Sequence, residues 1–397
     1  MTKIGACWFD DISIAQGGWS SIDGAESQRI SSYSELRTDV IWVTNLDYNA
    51  YKKLNLTQSP HIYDAQYFRT SLKLIGSENG LLHDVRALVE FASCIFSRVI
   101  RLGYELFDVD MTNPGYRYYS IIANRIMPGF MRKRPEGANV IDVIEGIKQA
   151  TQANQAMSGI KAPKNSTAHD FAFPRGAYAR WILTQKYPGP GRWEEIKRQT
   201  NETIFGVENG VVIKGSAGVI EKLKSWDDEY SVFLRINILN MDPQYRSFAS
   251  FGSGSSYPRR WATLPEVLNL SRFCKIAIMG GYRIKSEPLK IAESIDFDSN
   301  EYSYSRGLLY ENLWVALANP IYGNDLKPAV GAYMRAYDRF ACSRIAEKFS
   351  GYQYVVGSYG TGRVMVYLTK QEEYQAAEFA LSLGILPPMH MINGESK

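Results

Sequence analysis

Sulfur and imidazole are scarce in this chain. Its 397 residues include four cysteines, Cys7, Cys94, Cys274 and Cys342, and four histidines, His61, His83, His169 and His390. The cysteines lie far apart with no CxxC pair, which excludes a disulfide framework or a cysteine zinc module and suits a reducing compartment. No two histidines have the spacing of a metal pair, so the sequence predicts no histidine-based metal centre. Charge of one sign is short as well: 45 Lys and Arg against 41 Asp and Glu leave a formal net charge of +4, which excludes a histone-like basic tail. No run approaches the roughly 18 uninterrupted apolar residues of a membrane span. Asp10 and Asp11 interrupt the N-terminus before a signal peptide's apolar core could form. The expectation is a soluble protein that is not exported, and no internal repeat or low-complexity tract qualifies it.

Aromatics are what the chain has in quantity. Its 26 Tyr, 17 Phe and 8 Trp make 13% of the residues, a load that suits base stacking as well as core packing. At roughly 100–200 residues per domain the length allows two or three domains. The stretch DVIWVTNL near residue 40 reads as a strand. Residues 80–101 place apolar side chains at three- and four-residue intervals, which predicts a helix, and LGYELFDVD after it reads as a strand ending at Asp108 and Asp110. Further helices are expected over 140–154, 176–185, 192–205, 306–318 and 331–348, with Gly206 as a C-cap for the third of these. Residues 158–174, broken by Pro163, read as a loop, and 249–258 as a flexible one. Alternation around Asp296 and Asp298 predicts a β-hairpin between Leu289 and Ser305.

Three segments carry candidate chemistry. A carboxylate at a strand end before Pro114-Gly115 could hold a hard divalent cation, or it is a solvated acid pair. On a helix, Lys197, Asn201 and Phe205 would rise along one stripe, a cation, an amide and an aromatic suited to a triphosphate, a sugar and a base. The plain alternative is surface charge above a core aromatic. A hairpin tip bearing Asp296 or Asp298 could supply a second metal ligand, or be an ordinary Asp-Ser-Asn turn.

In order and spacing these segments resemble the single-subunit RNA polymerases of T-odd phages and mitochondria. Asp110, Thr112, Gly115, Tyr119 and Ser120 match the family's motif A. Lys197, Arg198, Phe205 and Gly206 match motif B, and Phe297-Asp298-Ser299 is the nearest match to motif C. The resemblance spans about residues 90–310. It implies an α+β, right-handed polymerase fold with an antiparallel-sheet palm and mainly helical fingers, divided as 1–128 palm, 129–270 fingers, and 271–397 second palm part with C-terminal helices. It implies two-metal nucleotidyl transfer, with Asp110 and Asp298 holding two Mg2+ ions and Lys197 assisting at the triphosphate. Arg192, Arg198, Asn201, Phe205 and Gly206 would complete the nucleotide site, and Gly115 would leave room for a ribose 2′-hydroxyl. Asp108 remains a rival to Asp110, and Asp296 to Asp298.

With only 109 residues ahead of Asp110, no DxxGR-like element precedes motif A. That is the pattern of the split, heterodimeric polymerases of Enquatrovirus-type podoviruses. The resemblance therefore implies a smaller partner subunit, a DNA template, an RNA product, rNTPs as substrates, phage accessory transcription factors, and action in the cytoplasm of an infected bacterium, without a membrane. The rival readings are an archaeo-eukaryotic primase, for which FDVD supplies Asp-x-Asp, a family-B DNA polymerase, for which Lys197 and Asn201 have the right spacing, and a non-enzymatic viral nucleic-acid binder or structural protein.

Overall fold

Six consecutive buried residues, Ile4 to Phe9, make the first strand, β1 (Lys3–Asp11), which is covered on both faces. The computed structural model describes residues 3–59, 61–64, 84–108, 122–123, 125, 135–136, 140–150, 155–156, 161–197, 203–241, 260–289, 303–319 and 328–392. Its residues divide into two units, one of 1–126, 295–313 and 393–397, the other of 127–294 and 314–392.

In the first unit β2 (Gln16–Ile22) and β3 (Gln28–Ser32) follow β1 antiparallel. On the other side of β1 lie β4 (Val40–Thr44), then α1 (Tyr48–Lys53) and β5 (Ile62–Asp64), both strands parallel to β1. The order is β3-β2-β1-β4-β5. Cys7, Phe9, Trp42, Leu46 and Leu56 form the core on one side of this sheet. The long helix α2 (Val85–Phe107) packs against β1 and β2, and Ser93 Oγ lies 2.9 Å from Ser21 Oγ. Asp84 caps it by accepting from the Arg86 and Ala87 amides.

The expected strand LGYELFDVD is corrected here. The apolar helical period runs on through Val99, Leu102 and Phe107, past the buried Gly103, and residues 102–107 complete α2. Asp108 ends the helix with φ 49° and pairs with Arg125 at 3.0 Å.

The second unit opens with α3 (Val140–Ala150), then β6 (Gln155–Ala156), β7 (Thr167–Ala172) and α4 (Arg175–Leu183). The strand β7 lies inside the expected loop 158–174: with one apolar anchor, Phe171, it is too short to signal itself and is held by its neighbour in the sheet.

A seven-stranded antiparallel sheet comes next, built from β8 (Lys186–Pro188), β9 (Glu194–Ile196), β10 (Thr203–Glu208), β11 (Val211–Val212), β12 (Tyr230–Met241), β13 (Trp261–Thr263) and β14 (Cys274–Pro288). The long β14 organises it: β12 pairs along one side, and β10, β9 and β8 dock in succession along the other. Two helices, α5 (Ser216–Glu229) and α6 (Leu264–Leu270), join Phe205, Val232, Leu234, Ile236 and Ile276 in its core through Leu223, Val267 and Leu270.

Of the expected helix 192–205, residues 194–196 and 203–205 are therefore strand, and 198–202 lie outside the described residues. Pairing with β14 and β-branched Thr203, Ile204 and Val207 outweigh a weak local helix preference. Phe205 is 0% exposed and opposite Ile276. Gly206 is not a C-cap but a strand glycine at φ +104°, where a Cβ would lie 2.0 Å from the Cys274 carbonyl oxygen.

Then follow α7 (Ser303–Leu317), α8 (Ala329–Gly351), the hairpin β15 (Val355–Tyr359) and β16 (Arg363–Leu368), α9 (Glu373–Ser382) and α10 (Met389–Ile392). Because α7 begins at Ser303, the end of the expected 289–305 hairpin is helical; residues 290–302 lie outside the described residues. The hairpin completes a second antiparallel sheet, β6-β15-β16-β7. One of its faces, with Phe171, Val356, Val364, Val366 and Leu368, packs on Ile345, Ala346 and Phe349 of α8 and Ala376, Ala377 and Ala380 of α9. The architecture is mixed α and β with mainly antiparallel sheets.

Burial of Phe205 decides what its substitution does. Phe205→Tyr places a hydroxyl in a sealed core and should cost about 1–3 kcal/mol, read as a lower urea midpoint at unchanged m-value. Unchanged stability would place the ring at a solvent-facing position instead.

Candidate nucleic-acid interface

Strand alternation gives the β6-β15-β16-β7 sheet a second face, turned away from α8 and α9. On it β7 places Asp170 opposite Met365 of β16, with Arg363 and Tyr367 at the next positions along β16 on that face. Asp170 and Arg363 approach to 3.6 Å, with side chains 56% and 21% exposed, a loose pair worth little stability. Burial raises the Asp170 carboxyl above its ordinary value, opposed by His169. Burial likewise pushes the Arg363 guanidinium down to about 10. An acid, a cation and an aromatic thus share one half-buried patch, an arrangement able to meet a phosphate and a base together.

The tight turn at the end of this sheet is Gly360-Thr361-Gly362, all three with positive φ: 129°, 55° and 71°. Such a conformation is strained for a β-branched residue. It is held by the buried carboxylate of Asp338 on α8, which accepts from Thr361 N at 2.5 Å, Gly362 N at 2.7 Å and the Tyr178 hydroxyl at 2.6 Å. Successive amides around one anion form a nest. Tyr178 belongs to α4, and Phe173, between β7 and α4, stacks on it at 4.5 Å and donates its amide to the Gly362 carbonyl at 3.0 Å. Burial and the adjacent Asp338 raise the Tyr178 phenol well above its ordinary value, keeping it a donor. Arg335 reaches Thr361 Oγ1 at 3.3 Å and lies over Trp314. The whole turn is thus fixed by α4 and α8.

The residues singled out in the sequence fall differently. Arg192 and Lys197 are exposed at the two ends of β9. Phe205 and Gly206 sit in β10, opposite Ile276 and Lys275, five and six residues along β14 from Gly281, the partner of Ile196 in β9, or about 17–20 Å at strand spacing. The expected stripe from Lys197 to Phe205 is not formed, and Phe205 has no free face for a base. Asp110, Gly115, Arg198, Asn201 and Asp298, with the rivals Asp296 and the neighbouring Thr112, Tyr119 and Ser120, lie outside the described residues. No spacing signal in the sequence brings Asp170 and Arg363 together, because a short edge strand and a hairpin near the C-terminus carry none of their own.

Acids also gather at the C-terminal edge of the parallel strands of the first unit, a common ligand position in open sheets. Here they are engaged in folding. Asp10 pairs with Arg29, Asp11 holds Ser13, and Asp47 caps α1. Asn45 both accepts from the Phe9 amide and donates to its carbonyl, each at 2.9 Å. Among the described residues the group of three ligating side chains with mutually close donor atoms is His169, Glu373 and His390. No described helix is long and apolar enough to cross a membrane.

No protein-family model matches the chain, and no curated protein matches it. Among solved structures it is similar to Phi29 DNA polymerase in an orthorhombic crystal form, over 93% of this chain and 81% of that one, at 11% identity and a TM-score of 0.46. The same polymerase complexed with primer-template DNA, in a post-translocation binary complex, overlaps 92% of this chain and 80% of its own at 9% identity and a TM-score of 0.48.

The Asp338 knot is testable directly. Asp338→Ala leaves two amides and a phenol without their buried acceptor and should cost about 3 kcal/mol or more. Hydrogen exchange at Thr361 and Gly362 should accelerate out of proportion to the global loss; exchange that follows global stability alone would show that the carboxylate does not hold the turn.

Proposed function

We propose that this chain binds nucleic acid across the Asp170–Arg363 face of the β6-β15-β16-β7 sheet and acts in template-directed nucleotidyl transfer. The observation that supports the binding half is the patch itself: Arg363 for a phosphate, Tyr367 for a base or sugar, and Asp170 between them on β7. A sheet with helices on its other face serves as a rigid floor for such contacts. Support for the transfer half comes from the order of Asp110, Gly115, Lys197 and Asp298 along the chain. In this reading Asp110 and Asp298 are the acids of a palm, Gly115 admits a ribose, and Arg192, Lys197, Arg198 and Asn201 serve the incoming triphosphate. Phe205 and Gly206 act as core of the same unit rather than as nucleotide ligands. The substrates are rNTPs on a DNA template with an RNA product, and a smaller subunit completes the enzyme.

Two magnesium ions are part of the reading, and the described residues do not by themselves fit them. The Asp170 face offers one carboxylate, and at the adjacent hairpin the Thr361 and Gly362 amides are committed to Asp338. A second reading rests on the Asp170–Arg363 patch alone, which needs no metal ion to meet a phosphate: the chain binds nucleic acid without catalysing synthesis.

One experiment separates the two. The purified chain, alone and with its co-expressed partner, is given a labelled primer-template, Mg2+ and either rNTPs or dNTPs. Extension with rNTPs that disappears in Asp110→Ala and Asp298→Ala is expected, together with about tenfold weaker template binding in an Arg363→Ala, Tyr367→Ala double variant. Binding without extension under every condition would establish the second reading. Extension with dNTPs only would make the chain a DNA polymerase, and extension unaffected by either Asp variant would remove those two acids from the site.

A further inference from the structure

The scarcity of histidine conceals a meeting of two of the four. Strand β7 sends Asp170 to the outer face and His169 to the opposite one, toward the first turn of α9. There His169 Nε2 lies 3.4 Å from Glu373 Oε1. After α9 the chain returns along the same edge strand, because Ala172 and Leu386 exchange two backbone hydrogen bonds of 2.9 and 2.8 Å. Four residues on, α10 brings His390, whose ring centroid is 5.4 Å from that of His169. One donor atom from each of His169, Glu373 and His390 lies within 4.8 Å of the other two.

We propose that His169, Glu373 and His390 form a zinc site that clasps α9 and α10 to the edge strand β7. The distances suit such an ion. Zinc bonds of about 2.0–2.2 Å at tetrahedral angles put donor atoms about 3.4 Å apart. The His169–Glu373 pair is already at that separation, and the third ligand must close in by no more than a side-chain rotation, on a helix of one turn. Two imidazoles and one carboxylate are a borderline donor set, which selects zinc or a neighbouring transition metal over magnesium or calcium. Three protein ligands leave a fourth position for water. Thr167 Oγ1, 2.6 Å from the same ring nitrogen, is the partner His169 keeps when no ion is held.

The site has a structural consequence for the outer face. An edge strand with a single apolar anchor is a weak place to mount Asp170, and a metal bond at the residue before it would fix that strand from behind. The inference does not depend on the proposed activity, since it concerns only residues on the opposite face.

The test uses the full chain, stripped with a chelator, dialysed and titrated with Zn2+ against a chromophoric competitor, with Co2+ as a spectroscopic probe. One Zn2+ per chain is expected, with micromolar or tighter affinity, a raised thermal midpoint, and a visible Co2+ spectrum of four-coordinate type. His390→Gln and Glu373→Gln should each weaken binding by about tenfold or more and abolish the thermal shift, whereas His61→Gln should bind as the parent does. Because His390 lies on the terminal one-turn helix, its variant keeps the test decisive even where His169→Gln fails to fold. Absence of stoichiometric binding, binding by His390→Gln and Glu373→Gln equal to the parent's, or an equal loss in His61→Gln would each overturn the site.

Discussion

The second unit depends on a carboxylate that has no access to water. Asp338 sits in the middle of α8, 0% exposed, and accepts hydrogen bonds from the Gly360-Thr361-Gly362 turn and from Tyr178 of α4. Burying such a group is unfavourable unless every lone pair is used. The sequence around it is arranged to use them: two glycines flank Thr361 so that its amide and the next point inward together, and Tyr178 is on the one helix that follows β7. The turn's backbone strain and the helix's buried acid are therefore one feature, each tolerable only because of the other.

The same helix explains how two sheets coexist in one unit. With no exposed residue from Ala329 to Ser343, α8 meets the hairpin sheet through Ile345, Ala346 and Phe349 and the seven-stranded sheet through Tyr333, whose hydroxyl pairs with the Val232 backbone. A helical stretch enclosed in this way is expected to be apolar all round, yet this part of α8 carries Arg335, Asp338 and Arg339. Arg339 is held by Glu266 at 2.7 Å, both side chains 5% exposed, and Glu266 also completes the capping box of α6. An ion pair of this kind adds little net stability over an apolar pair of the same shape. What it fixes is which face of α8 meets which sheet.

How legible this was in the sequence follows from where the information lies. The helices α3, α4, α7 and α8 were readable because a helix's period is local, and β4 because four successive apolar residues, Val40 to Val43, bounded by polar ones leave few alternatives. The failures have two causes. LGYELF continues the local apolar period of α2 and was divided from it too early, whereas β9, β10 and β7 are short and take their state from partners distant in sequence, β14 for the first two and β16 for the third. Lys197, Asn201 and Phe205 look like a stripe only if the segment is a helix, so the loss of the helix takes the stripe with it. Asp170 and Arg363 had no motif to announce them, since their proximity is made by antiparallel pairing across nearly two hundred residues.

The two faces of β7 then bear on function in different ways. A residue whose role is set by pairing rather than by a local motif can be exchanged only if the pairing survives, and β7 is an edge strand with Phe171 alone buried in the core. Its order rests on β16, on the Ala172–Leu386 bridge and on the contacts of His169. Any nucleic acid lying on Asp170 and Arg363 pulls on the same strand from the other side. Under the proposed function a rigid face is what a template-binding floor requires, and the side chains behind β7 and the turn held by Asp338 would then be as much a part of that surface as the residues exposed on it.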